Sequence, residues 1–166
     1  MSAEKLYDFG IGEKAVYPCH GVGTIEKIES CSVGGDHQDF YVLKIHSTGA
    51  KVMVPTRAAK TVGLRPVDLD FAKVYEILKA PCSKKSTSTW NRRYRTLTDK
   101  LNTGNLGEIA EVLRDLSSLS SDKELSFGEK KMLERARNML VAEISVAREE
   151  EKSVIDLELN RILYSM

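Results

Sequence analysis

The feature that most constrains this chain is a change of hydrophobic period at Arg65-Pro66. Upstream, apolar residues alternate with polar ones or gather in short β-branched and aromatic runs: Ala15-Val16-Tyr17, Thr24-Ile25-Glu26-Lys27-Ile28, Phe40-Tyr41-Val42-Leu43-Lys44-Ile45 and Val52-Met53-Val54. A strand turns successive side chains to opposite faces, so these runs read as strands. Gly21 and Gly23, Gly34-Gly35-Asp36 and Thr48-Gly49 fall between them, where tight reversals need positive φ. A small antiparallel sheet or barrel is expected. A module of about 60 residues has a thin core and leaves at least one edge strand whose backbone another protein can extend. Pro55, closing Val52-Met53-Val54, suits such an edge because it has no N–H to give to a ladder.

Downstream the period is helical. Asp68 or Asp70 can cap a short helix carrying Phe71, Val74, Tyr75 and Leu78, which stops at Ala80-Pro81 because proline disfavours helix in the residue before it. Ser88 or Thr89 can cap a second, whose Trp90, Tyr94, Leu97 and Leu101 recur at i, i+4, i+7 and i+11 before Thr103-Gly104. A third begins near Asn105, with Glu108 three residues on, and buries Leu106, Ile109, Ala110, Leu113 and Leu116. Ser126-Phe127-Gly128-Glu129 is a capping-box pattern opening the longest helix, with Met132, Leu133, Ala136, Met139, Leu140, Ile144 and Ala147 on one stripe. Glu149-Glu150-Glu151 reads as the acidic N-terminus of a last helix carrying Val154, Ile155, Leu159, Ile162 and Leu163. The expected architecture is α+β with two domains, residues 1–66 and a compact bundle of about five helices over residues 67–166.

No stretch of about 18 apolar residues exists, and Met1-Ser2-Ala3-Glu4-Lys5 lacks a basic region followed by an apolar core, so neither a membrane span nor a signal peptide is expected. A cytoplasmic location follows. Cys19, Cys31 and Cys82 are odd in number and irregularly spaced, which points to reduced thiols rather than a disulfide framework. With His20, His37 and His46 they form no C-x-x-C or H-x-x-x-H pair, so no metal site is expected. Cys19 and His20, adjacent on a strand, point to opposite faces and cannot readily share a proton. Gly21-Val22-Gly23 lacks the third glycine and following helix of a dinucleotide loop. No catalytic set and no cofactor site emerge, and the chain is expected not to be an enzyme.

The net charge of +1 hides one cationic block. Residues 79–100 carry Lys79, Lys84, Lys85, Arg92, Arg93, Arg95 and Lys100 against the single Asp99, a net +6. Such a block is ordinarily a solvated helix face. Here it includes the only tryptophan, in Trp90-Asn91-Arg92-Arg93-Tyr94-Arg95. By periodicity Trp90 belongs to the core stripe, with the arginines on the wet face. An exposed ring amid cations would instead suit nucleic acid, since cations hold phosphates while an apolar ring stacks on or wedges beside a base.

Several ordered motifs carry a resemblance: Lys14-Ala15-Val16-Tyr17-Pro18, Gly21-Val22-Gly23, Phe40-Tyr41-Val42-Leu43-Lys44, Val52-Met53-Val54-Pro55, Val62-Gly63-Leu64-Arg65, Trp90-Asn91-Arg92-Arg93-Tyr94-Arg95, Ile109 to Leu116 and Leu125 to Leu133. From about Phe9 onward the chain closely resembles the CarD/CdnL family of bacterial transcription regulators. The resemblance implies a Tudor-like N-terminal β-barrel that binds the RNA polymerase β subunit, and a C-terminal helical domain that contacts promoter DNA. Members stabilise the open promoter complex. It places polymerase contact at Met53 and Pro55, with Tyr41 and Val42 on the neighbouring run. It places Trp90 in the minor groove at the upstream edge of the transcription bubble, with Arg92, Arg93 and Arg95, and Lys130 and Lys131 of the Leu125–Leu133 motif, as DNA contacts. Actinobacterial members carry arginines where this chain has Cys31 and Met53, which implies a more apolar polymerase interface here. Lys84 and Lys85 could reach DNA or merely solvate their loop. The chain is expected to act as a monomer, associated with the nucleoid through polymerase. A protein-only adaptor, whose basic helix binds an acidic protein, is the competing reading.

Overall fold

The computed structural model describes residues 9–18, 20–68, 70–82 and 89–164, without the side chains of Val33 and Trp90. The chain divides into two compact units between Val67 and Asp68.

The first unit is an antiparallel sheet of β1 (Lys14–Tyr17), β2 (Gly21–Val33), β3 (Asp36–Ile45), β4 (Lys51–Pro55) and β5 (Arg65–Pro66), in the order β4-β3-β2-β1-β5. The sheet does not close, which corrects the expectation of a barrel. Closure would need a ladder between β4 and β5, and β5 has only two residues, both paired with β1. β2 and β3 form a long hairpin around Gly34 and Gly35, whose φ of 61° and 87° match the turn type that follows the right-handed strand twist. Gly23 serves close approach: a Cβ there would lie 2.7 Å from the Lys44 carbonyl oxygen and 2.8 Å from the Leu43 side chain. One face buries Ala15, Ile25, Tyr41, Leu43, Ile45 and Val54, closed off by Phe9, Ala59 and Leu64.

The second unit comprises α1 (Ala72–Lys79), α2 (Trp90–Asn102), α3 (Leu106–Asp122), α4 (Phe127–Arg148) and α5 (Lys152–Tyr164). α3 is central, packing on α1, α2 and α4. Leu101, Ile109, Leu113, Leu140, Ile144, Ile155 and Leu159 are sealed from solvent, each contributing about 1.5–3 kcal/mol of apolar transfer. Asn105 accepts the Glu108 amide at 3.2 Å, and Ser126 and Glu129 close a reciprocal capping box. Asp70 Oδ1 accepts the Ala72 amide at 3.0 Å, so it holds the first turn of α1 although Phe71 occupies the cap position. Ala80 turns extended, with ψ 150°, before Pro81.

The acidic run differs from its reading. Glu149 ends α4 in the left-handed region, φ 53°, rather than starting a helix. Only Glu151 meets the start of α5, its carbonyl accepting the Val154 amide. Negative charge at a helix C-terminus is unfavourable, and Arg148, paired with Glu150 at 3.2 Å and Glu158 at 2.7 Å, offsets it.

Candidate interaction sites

The outermost strand β4 pairs with β3 as Phe40↔Pro55, Tyr41↔Val54, Val42↔Met53, Leu43↔Val52 and Lys44↔Lys51. At the two ends of this ladder, the Thr56 amide donates to the Asp39 carbonyl and the Ile45 amide to the Ala50 carbonyl. Hydrogen-bonded and non-hydrogen-bonded pairs alternate in an antiparallel ladder. Val52 and Val54 therefore bond inward to β3, while the N–H and C=O groups of Lys51 and Met53 point out along the edge. Pro55 stands where the next outward donor would be, so it ends the edge without wasting an amide.

Side chains at this edge separate by face. Met53 is 46% exposed, with half-buried Phe40 and Pro55 on the same face. Val42, opposite Met53 on that face, and Tyr41, on the other, are each only 3% exposed, so their side chains back the edge rather than present a surface. Tyr41 is held in the core, its hydroxyl accepting the Phe9 amide at 3.4 Å and its ring edge-on to Phe9. Nearby charges pair off: Glu26 with Lys51 at 3.5 Å and Lys44 at 4.0 Å, and Lys27 with Glu29. The edge is apolar, and Glu26, shared by two lysines, leaves only a small positive excess beside it.

The second candidate surface is α2. Its apolar stripe climbs out of the bundle toward the N-terminus: Leu101 is fully buried, Leu97 half-buried and Tyr94 46% exposed. Arg92 and Arg95 are exposed and Arg93 is half-buried. Lys130 and Lys131 are exposed in the first turns of α4, Lys130 3.5 Å from Glu124 and Lys131 4.6 Å above the ring of Phe127. Arg135 Nη2 donates to Asn102 Oδ1 at 2.9 Å. Arg95 and Asn102, seven apart, share one side of α2, and Lys131 and Arg135, four apart, share one side of α4. That bond sets the two sides next to each other. Lys130 is instead turned toward Glu124. The side chain of Trp90, together with Lys84, Lys85 and Cys19, lies outside the described residues.

Cys82 donates to Asp115 at 3.3 Å. Burial, reinforced by the Asp115 carboxylate, pushes its thiol pKa up, which disfavours the thiolate that nucleophilic chemistry needs. No described helix is long and apolar enough to cross a membrane. Sequence reasoning missed two carboxylates in the helical core, Glu129 and Glu143. Glu129 was legible as the capping-box partner of Ser126, but its burial was not.

The sequence model of the CarD C-terminal domain matches residues 73–160, and that of the CarD-like/TRCF RID domain matches residues 9–68. The chain belongs to the CarD/CdnL family. Members of this family are generally transcription factors that interact with RNA polymerase, and the protein is a transcription regulator of that type. A Bacillus subtilis (strain 168) relative, "Putative transcription factor YdeB", is 37% identical over 142 residues, which is 84% of this chain and 92% of that one. Among solved structures, CdnLNt from Myxococcus xanthus is 42% identical, covering 39% of this chain and 90% of its own, with a TM-score of 0.33.

Proposed function

We propose that this CarD/CdnL protein grips the β subunit of RNA polymerase through the β4 edge and promoter DNA through the first turns of α2, and so stabilises the open promoter complex. The observation that carries the DNA half is the coincidence on α2 of an apolar stripe leaving the core with three arginines at the same end. Trp90 lies one further turn out on that stripe. There it would enter the minor groove at the upstream fork of the bubble, while Arg92, Arg93 and Arg95, with Lys131 and Lys130 on α4, hold phosphates and fix the register. The open form gains only to the extent that the ring binds forked DNA better than closed duplex. At the other end, Met53 and Pro55 offer an apolar contact and the outward amide and carbonyl of Met53 a backbone one, to which the β subunit can add a strand. The protein works as a monomer in the cytoplasm, carried to the nucleoid by polymerase, and performs no catalysis.

Trp90 is the only tryptophan, so its emission reports this site alone. Titration with forked promoter DNA is expected to quench it at lower concentration than titration with the intact duplex. Equal quenching by both would remove the fork preference. Quenching by neither would leave the basic helix to an acidic protein.

A further inference from the structure

Glu143 is 2% exposed in the C-terminal third of α4, between the fully buried Leu140 and Ile144. A carboxylate held away from water is strongly unfavourable unless protein hydrogen bonds replace the lost hydration. Glu143 Oε1 accepts the Asp68 amide at 3.0 Å, across 75 residues of sequence. Asp68 is the first residue of the helical unit. Two further bonds run forward from it: Asp68 Oδ1 accepts the Asp70 amide at 3.1 Å, and Asp70 Oδ1 accepts the Ala72 amide at 3.0 Å, at the first residue of α1. On the sheet side the chain is fixed through Pro66, which pairs with Ala15 in the β1–β5 ladder. Val67 alone separates the last residue of the sheet from the first residue pinned to the helices. Asp70 already serves the first turn of α1, so the cap does not require Glu143. What Glu143 adds is an anchor for the amide at which one unit becomes the other.

We infer that Glu143 is a positioning residue that clamps the connection between the two units, leaving Val67 as its only unanchored residue and so mechanically coupling the polymerase grip to the DNA grip. The consequence for transcription rests on the function proposed above, whereas the clamp itself does not. Two contacts made through a stiff, short connection reinforce each other through effective concentration, and that reinforcement is lost when the connection loosens.

Three variants test it in the full chain. Glu143→Leu fills the space and removes the acceptor, Glu143→Gln keeps one side-chain oxygen for Asp68, and insertion of two glycines between Val67 and Asp68 loosens the connection without touching α4. Hydrogen exchange at the Asp68 amide is read by NMR. Distances between nitroxides, one on each unit of a protein whose native cysteines are replaced by serine, are read by pulsed spin resonance. Glu143→Leu is expected to speed Asp68 exchange at least about tenfold, as loss of a protecting bond requires, and to broaden the distances. Glu143→Gln should stay near wild type, and the insertion should reproduce the broadening. Unchanged Asp68 exchange in Glu143→Leu overturns the clamp. So does an insertion variant with distances as narrow as wild type, which covers the case in which Glu143→Leu does not fold. In promoter assays Glu143→Leu and the insertion should shorten open-complex lifetime by roughly three- to tenfold, while binding to duplex DNA alone and to the β subunit alone stays within about twofold. Loosened distances with an unaltered lifetime, in an assay where Trp90→Ala does shorten it, would overturn the coupling. If Trp90→Ala has no effect either, the functional reading fails, and the exchange and distance measurements still decide the clamp.

Discussion

At the β4 edge the groups left facing outward are backbone amides and carbonyls, those of Lys51 and Met53, whereas along α2 the helix consumes its own backbone and what faces outward are side chains, Tyr94, Arg92 and Arg95. The first surface exists because a sheet of five strands stops, the second because an amphipathic helix outruns the core it packs on. A partner at the edge must align a strand and exclude water from Met53, which is a short-range contact indifferent to salt. A partner at α2 meets cations first and the apolar stripe second, so its attraction is long-range and screened. The two grips should therefore fail under different substitutions and different salt.

Within α2 the largest effect divides the stripe itself. Leu101→Ala is expected to cost about 2–5 kcal/mol of folding stability, since Leu101 is fully buried, while Tyr94→Ala on the same stripe should cost under about 1 kcal/mol. Equal losses in thermal or denaturant unfolding would mean that the stripe does not leave the core. Next, Met53→Asp should weaken binding to the β subunit by roughly 1–3 kcal/mol in calorimetry, because it sets an unpaired charge in a desolvated contact. Its binding to duplex DNA should be unchanged. The smallest effect is at Arg92 or Arg95, where alanine should flatten the salt dependence of DNA binding by about one phosphate contact and leave the β-subunit affinity as it was. A Met53→Asp protein with an altered salt slope would blur the distinction between the two surfaces.

What the sequence made legible follows the same division. Side-chain periodicity announced every helix, and the Asn105–Glu108 and Ser126–Glu129 caps fixed two starts because those residue types have few other uses in that order. The family motifs drew attention to Met53 and the α2 arginines. Backbone consequences were hidden. The hairpin of β2 and β3 runs on through residues 29–32 and 36–39, beyond the core, where the residues are mostly polar and no alternation marks a strand. β5 is invisible because two residues have no period. The resemblance implies Tyr41 and Val42 as contacts on the run neighbouring Met53, but their burial depends on the register with β4 and, for Tyr41, on Phe9 folding over the sheet. Glu149 takes a left-handed cap position with no glycine to signal it, and Val154, on the expected stripe of α5, is 48% exposed. Glu143 gave no signal, since its partner is a backbone amide far away in sequence.

Whether the N-terminal end of α2 acts on DNA or belongs to the core is decided by two readings on Trp90→Ala, open-complex lifetime and thermal unfolding. Action on DNA should shorten the lifetime roughly tenfold, as loss of about 1.4 kcal/mol of contact specific to open DNA would give, with unchanged duplex binding and a melting temperature within a few degrees of wild type. A protein destabilised by roughly 3–5 kcal/mol, with all functions lost in proportion, would return Trp90 to the core and contradict it.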